Sequence, residues 1–356
     1  MKKTNLLKSM LLLCVLVAGS GSVWADETHT SAFTTAAGQA ALDIVKAGTS
    51  STGGDMELRQ GYFVFTSAKG YDKSNELSIY TKGTLNISLI SGVNGYIKSV
   101  KVTYANSYPF KTPTDWSATS DQTSWSYSSK ITAGKYVQYS TDATNVTSVD
   151  LVNDASGKTG PRTIEITYVV NNISASINST YGYATMCSKV PLDFTGTGVT
   201  AYIITGTSGS AITTTEVTKV PANTALLVTG TTANIPTTTA ATDDVTGNLL
   251  KAVVGKKTTI SAEAGYTRYV LSVSAGKAVF MSIGATDAVV PVGKAYLEIP
   301  DGGAHELLFI ENGTTFIPTV KQDDITNGEY FNLAGQRVTQ PTKGLYLMNG
   351  KKVIIK

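Results

Sequence analysis

Polar and apolar side chains alternate in short runs along most of the chain, and a period of two predicts β-strands. Leu85, Ile87 and Leu89 alternate with Asn86 and Ser88. Val100, Val102 and Tyr104 alternate with Ser99, Lys101 and Thr103, and Ile164, Ile166, Tyr168 and Val170 with Thr163, Glu165 and Thr167. Each run therefore offers one dry and one wet face. Two sheets that bring their dry faces together make a β-sandwich, and residues 27–171 are expected to form one of jelly-roll-like type. Ser91-Gly-Val-Asn-Gly95 lies between two such runs and ends in Asn-Gly, which predicts a hairpin turn. The one helical candidate is 36–47.

Further short runs at 183–188, 199–204, 225–229, 268–273, 278–283, 295–299 and 306–310 predict a second β domain over 173–311, with Asn171-Asn172 as the junction. Val220-Pro-Ala-Asn-Thr-Ala-Leu-Leu227 echoes Val290-Pro-Val-Gly-Lys-Ala-Tyr-Leu297. In each, proline sets φ in a turn, and Asn223 or Gly293 accepts positive φ just before a strand. The Ser/Thr-rich stretch 205–242 reads as β loops, because Ala225-Leu-Leu-Val-Thr229 in its middle is strand-like. The fold class is all-β: two β-sandwich-like domains in tandem, then a linker and small C-terminal β-hairpin unit over 312–356.

The two ends carry addresses. Lys2, Lys3 and Lys8 form a positive region that precedes an apolar run, Met10 to Ala18, followed by Gly19-Ser-Gly-Ser22 and Val23-Trp24-Ala25. Residues 1–25 thus read as a secretory signal peptide, with cleavage after Ala25 leaving Asp26 first. The apolar run is too short for a span, which needs about 20 residues. Cys14 follows Leu13 inside that run, which does not fit a lipoprotein site. No transmembrane span is expected in the mature chain. Removing the signal takes away three of the 29 basic residues and none of the 26 acidic ones, so the mature chain is formally neutral. That balance gives no case for a nucleic-acid partner. Cys187 is left alone, so no intramolecular disulfide is available, and a buried thiol is its expected state.

The tail reads Gly328-Glu-Tyr-Phe-Asn-Leu-Ala-Gly-Gln-Arg-Val338, then Pro341-Thr-Lys-Gly-Leu-Tyr-Leu-Met-Asn-Gly-Lys-Lys-Val-Ile-Ile-Lys356. Asn349-Gly350 between two apolar runs predicts a type I′ hairpin. This segment resembles the C-terminal tails of many secreted Bacteroidetes proteins. It matches their pattern at Asn332, Leu333, Gly335, Gln336, Val338, Lys343, Gly344, Tyr346, Asn349, Gly350, Lys351, Lys352 and Val353. It departs with Phe331 for Tyr and with Leu345 and Leu347 for Ile. The resemblance implies type IX secretion, the export and sorting machinery as partner, and a secreted or outer-surface location with outer-membrane association. Tyr183-Ala-Thr-Met-Cys187 and Pro291-Val-Gly-Lys-Ala-Tyr-Leu297 are also similar to a β domain common in such proteins, to which no activity attaches.

Candidate chemistry is sparse. The mature chain has two histidines, His29 in an end expected to be mobile and His305 in a turn before a strand, and neither sits in a triad-like pattern. No nucleophile elbow or phosphate loop occurs, no cofactor is implied, and no metal site of Cys/His type is available. Asp243-Asp244 with Asn248 offers oxygen ligands without the spacing of a calcium motif. Glu57, Glu76 and Glu165 are available for glycoside cleavage, but nothing pairs them. Aromatics concentrate at Tyr108, Trp116, Trp125 and Tyr127 in a polar, turn-rich stretch. Such rings either stack on sugars or close the sandwich core. The leading reading is a non-catalytic secreted or cell-surface β protein with a structural or adhesive role. A glycan-binding module using those aromatics, with surface or host glycans as partners, and an unrecognised glycoside hydrolase are the alternatives.

Overall fold

In the first part of the chain the alternating runs pair into two large antiparallel sheets. The structure is a computed structural model describing residues 26–48, 53–73, 76–300, 304–308, 330–331, 337–338, 343–348 and 351–355; residues 1–25, expected to be a signal peptide, lie outside them. One sheet runs β1 (Glu27–Ala32), β11 (Pro161–Ala175), β7 (Val93–Tyr104), β9 (Tyr136–Ser140), β8 (Ser117–Ser120). The other runs β10 (Ser148–Val152), β6 (Thr84–Leu89), β4 (Phe63–Lys73), β3 (Gly54–Gln60), β2 (Asp43–Ala47), with β5 (Glu76–Ile79) also on β4. They share one apolar core, to which Leu58, Phe65, Leu85 and Ile87 come from one sheet and Val100, Val102, Ile164 and Ile166 from the other. Two tyrosine hydroxyls are buried there and satisfied. Tyr104 and Tyr139 hydroxyls meet at 3.0 Å, Phe110 N–H donates to Tyr104 Oη, and Tyr139 donates to Phe110 O.

Three local expectations change. The helix α1 covers only Ala36–Ala41, capped by Thr35 Oγ1, which accepts from Gly38 N–H at 3.1 Å. From Asp43 the chain joins β3 as a ladder strand, where β-branched Ile44 and Val45 are better accommodated. The turn after β6 is not a hairpin, because β6 and β7 lie in different sheets. It closes at Ser91-Gly92, with Val93 N–H donating to Ile90 O, and Asn94-Gly95 falls inside β7. Gly95 serves close approach there, since a Cβ would lie 2.0 Å from Val169 O. His29 is not in a mobile end; it is a buried residue of β1, 8% exposed.

The second part differs from the expected second sandwich. β12 (Tyr183–Cys187), β17 (Ala225–Gly230), β14 (Val199–Ser208), β15 (Ala211–Val217), β25 (Glu306–Leu308), β22 (Lys277–Ser282), β21 (Tyr266–Ser274), β24 (Lys294–Pro300) and β19 (Leu250–Val253) form, in that order, one nine-stranded sheet. It curls into a nearly closed barrel whose end strands approach each other. At the seam, ladder bonds give way to isolated ones, among them Cys187 N–H to Gly293 O (3.0 Å) and Ala295 N–H to Thr185 Oγ1 (3.2 Å). Short two-stranded ladders, β13 (Leu192–Asp193) with β16 (Lys219–Val220) and β20 (Thr258–Ile260) with β23 (Ala288–Val290), flank it. A strand in a barrel alternates just as one in a sandwich does, so the pattern does not separate a sheet closed on itself from two stacked sheets.

The two parts share structure. β11 runs through Asn171-Asn172, and β18 (Ala233–Pro236) pairs with its end. β17 explains its unbroken apolar run by having both faces covered: Leu226 and Val228 enter the first core, Ala225 and Leu227 that of the barrel. The echoing turns carry positive φ at Asn223 and Gly293, and both bond the end of β12, through Asn223 N–H to Ser188 O and Cys187 N–H to Gly293 O. The tail is more than a hairpin. β27 (Arg337–Val338), β26 (Tyr330–Phe331), β28 (Gly344–Met348) and β29 (Lys351–Ile355) form a four-stranded sheet around Tyr330 and Val353. Met348 pairs with Lys351, so a two-residue link joins β28 to β29. Asn332, Leu333, Gly335, Gln336, Asn349 and Gly350 lie outside the described residues. Among the described residues no helix is long and apolar enough to cross a membrane.

Candidate functional site

The wet face of the sheet β10-β6-β4-β3-β2 carries a row of polar side chains in register. Lys46 is opposite Glu57, Glu57 opposite Thr66, Thr66 opposite Asn86, and Asn86 opposite Asp150. One residue from each of the five strands therefore lies on a line across the sheet, about 19 Å long at ordinary strand spacing. Their neighbours Leu58, Phe65, Leu85, Ile87 and Leu151 point into the core, which fixes the row on the outer face. Arg59 Nε donates to Glu57 Oε1 (2.7 Å) and Asn86 Nδ2 to Asp150 Oδ1 (2.8 Å), so both carboxylates are oriented.

This row floors a cleft of about 490 Å³. A second cleft of about 470 Å³, lined by Lys111, Pro113 and Trp116 among others, shares Asp150 with the first. The two form one path from β2 to the 111–116 loop. That loop is tied to β10 by a Lys111–Val152 bridge. Trp116 N–H donates to Pro113 O (3.2 Å), and Asp115 takes positive φ, which turns the chain there; Trp116 packs partly against the sandwich core and leaves its remaining surface in the cleft wall. Asp154, also in the wall, pairs with Lys82 and Lys111, and the Lys82 hydrogen bond holds its carboxyl below the usual range.

Of the four aromatic candidates, the structure brings Trp116 to the cleft. Tyr127 is exposed and lies under Lys111 Nζ, 5.9 Å from its ring centroid. Trp125, like Trp116, packs partly against the core, and the Tyr108 hydroxyl accepts from Ser156 Oγ (3.4 Å); neither Trp125 nor Tyr108 lines the clefts. Lys46, Thr66, Asn86 and Asp150 were not singled out from sequence. Thr66, Asn86 and Asp150 stand on the polar side of alternating runs, and only cross-strand register joins them with Lys46 and Glu57 into a row.

The remaining candidates lie away from the two clefts. Glu165 pairs with Lys101 (2.9 Å), and the side chain of Glu76 lies outside the described residues. Asp243 Oδ2 accepts from Thr218 N–H and Lys219 N–H, which lowers its pKa, and Asp244 accepts from Thr246 N–H. Cys187 is buried, its thiol pushed up to about 11 by burial, and donates to Val253 O and Lys294 O. His305 is exposed. Among the described residues no three His, Cys, Asp or Glu side chains group to hold a metal. No family model matches the chain, and comparisons with curated proteins and with solved structures return no match.

Proposed function

We propose that the chain is an exported, non-catalytic cell-surface β protein with an adhesive role, in which the first, jelly-roll-like sandwich binds an extended glycan. The observation that carries this reading is the polar row, whose cleft meets at Asp150 a second cleft lined by the partly buried Trp116. Sugars present hydroxyls that both donate and accept along their edges and apolar C–H faces. The row supplies Lys46, Asn86 and Thr66 beside the acceptors Glu57 and Asp150, and Trp116 supplies a flat face. The length of the row favours a chain of several sugars over a single ring.

On a glycan array, the protein is expected to bind a polysaccharide or long oligosaccharide. Trp116→Ala and Asp150→Ala each weaken binding about tenfold or more, and Tyr108→Phe leaves it unchanged. Absence of binding to every glycan by the folded protein rejects the proposal.

Export is supported by the signal-like N-terminus and by the tail that resembles Bacteroidetes sorting tails. Deletion of 328–356 is expected to hold the protein in the periplasm, read by cell fractionation. Unchanged surface display reduces the tail to a small folded cap.

A further inference from the structure

The barrel seam holds a second cleft with a different chemistry. Between β12 on one side and β21 and β24 on the other lies a space of about 380 Å³. Val270, Val289 and Pro291 give it apolar walls, Tyr183 stands at one side, and Lys294 is the charged residue among those lining it. At this seam the sheet does not close by a ladder: isolated bonds from Cys187 N–H to Gly293 O, from Cys187 Sγ to Lys294 O and from Ala295 N–H to Thr185 Oγ1 tie the end of β12 to β24.

Lys294 is half-buried, and among the described residues its ammonium makes no ion pair and no hydrogen bond. The other lysines of the barrel strands are differently placed; Lys251, for example, reaches Glu298 at 3.7 Å. Burial pulls the Lys294 pKa down. An unpaired ammonium in an apolar recess is costly, and a carboxylate entering with its own apolar body offsets that cost twice, by charge pairing and by burial of hydrocarbon. The volume is in the range of small-molecule sites. A single ammonium, with no arginine fork beside it among the lining residues, suits a singly charged headgroup better than a phosphate.

We propose that the seam cleft is a binding site for a small apolar monocarboxylate of the fatty-acid type, with Lys294 taking the carboxylate and Val270, Val289 and Pro291 the hydrocarbon. The site is separate from the glycan path and stands whether or not that path binds sugar.

The test is calorimetric titration of the full chain with octanoate, beside octanol and acetate. Octanoate is expected to bind at one site; octanol lacks the charge and acetate the hydrocarbon, so both bind far more weakly. Lys294→Met weakens octanoate about ten- to a hundred-fold, and Lys294→Arg retains most of the affinity. Binding falls as pH rises through the lowered pKa of Lys294, at a lower pH than for an ordinary lysine. Ser176→Trp, placed at the exposed mouth, blocks octanoate with the lysine intact and covers the case in which Lys294→Met fails to fold. Equal octanoate affinity in parent and Lys294→Met, equal affinity for octanol, or no binding by the folded parent each overturns the proposal.

Discussion

Acidification will cost the folded chain about 3 kcal/mol through His29, spread over the interval from pH 6.5 down to about 4. His29 lies on β1, its ring 5.2 Å from that of Phe63, with Nε2 3.0 Å from Ser31 Oγ. Burial is the larger cause of its depressed pKa and the charge of Lys189 the next; the Gln60 side chain pulls weakly the other way. Above pH 6.5 the ring is neutral whether the chain is folded or not, and the full stability is present. As the pH falls below 6.5 the unfolded chain takes up a proton that the folded chain refuses, so stability drops. Near pH 4 the folded ring also protonates and the loss levels off. Lys189 belongs to the segment after β12, and Tyr62 bonds that segment twice, to Ser188 Oγ (2.8 Å) and from Lys189 N–H (2.6 Å). Protonation therefore sets a cation against a cation where the first sheets meet the barrel. Urea titrations at neutral pH and at pH 4, on the parent and on His29→Gln, isolate the effect, because carboxylates that titrate in acid are common to both. The parent should lose about 3 kcal/mol more than the variant. Equal losses would remove His29 from the account.

Asn248→Ala should destabilise the protein by about 3 kcal/mol, from three hydrogen bonds worth about 1 kcal/mol each and partners left buried. The Asn248 side chain occupies a missing rung. β14 and β17 pair up to Tyr202 opposite Leu227, and continued register would set Ile204 opposite Ala225. There Asn248 Oδ1 accepts from Ile204 N–H (3.2 Å) and Nδ2 donates to Ala225 O (2.7 Å), while the same Oδ1 accepts from Leu250 N–H (3.1 Å). One amide thus joins β14, β17 and β19 where the barrel curls toward its seam. Asn248→Asp keeps the acceptor but turns a donor into a charge facing Ala225 O, and should be no better than alanine. Chemical denaturation measures both; a loss below about 1 kcal/mol for alanine would show that the strands hold without the bridge.

The strands themselves were legible because alternation is a local property of three to five residues, as in Leu85–Leu89 and Val100–Tyr104. Errors fell where local signals compete. Asn94-Gly95 carries a turn signal, yet Gly95 is there for close packing against Val169. Residues 36–47 are Ala-rich at the start, but the ladder offered by β3 takes over at Asp43. The site was half legible. Trp116 stood out as a ring in a polar stretch. The row from Lys46 to Asp150 did not, because its members are separated by tens of residues and are joined only by register.

Sequence alone determined the period-two strands, the lone Cys187, the neutral balance of the chain after residue 25, and the signal-like and tail segments at its ends. All of these are carried by neighbouring residues or by counts. Tertiary structure alone decided that the second set of strands curls into a barrel, that His29 is buried against Lys189, and that Lys294 lines the seam with no ion pair among the described residues. These depend on which strands become neighbours, and strand pairing is set by the burial of whole faces and by long-range register.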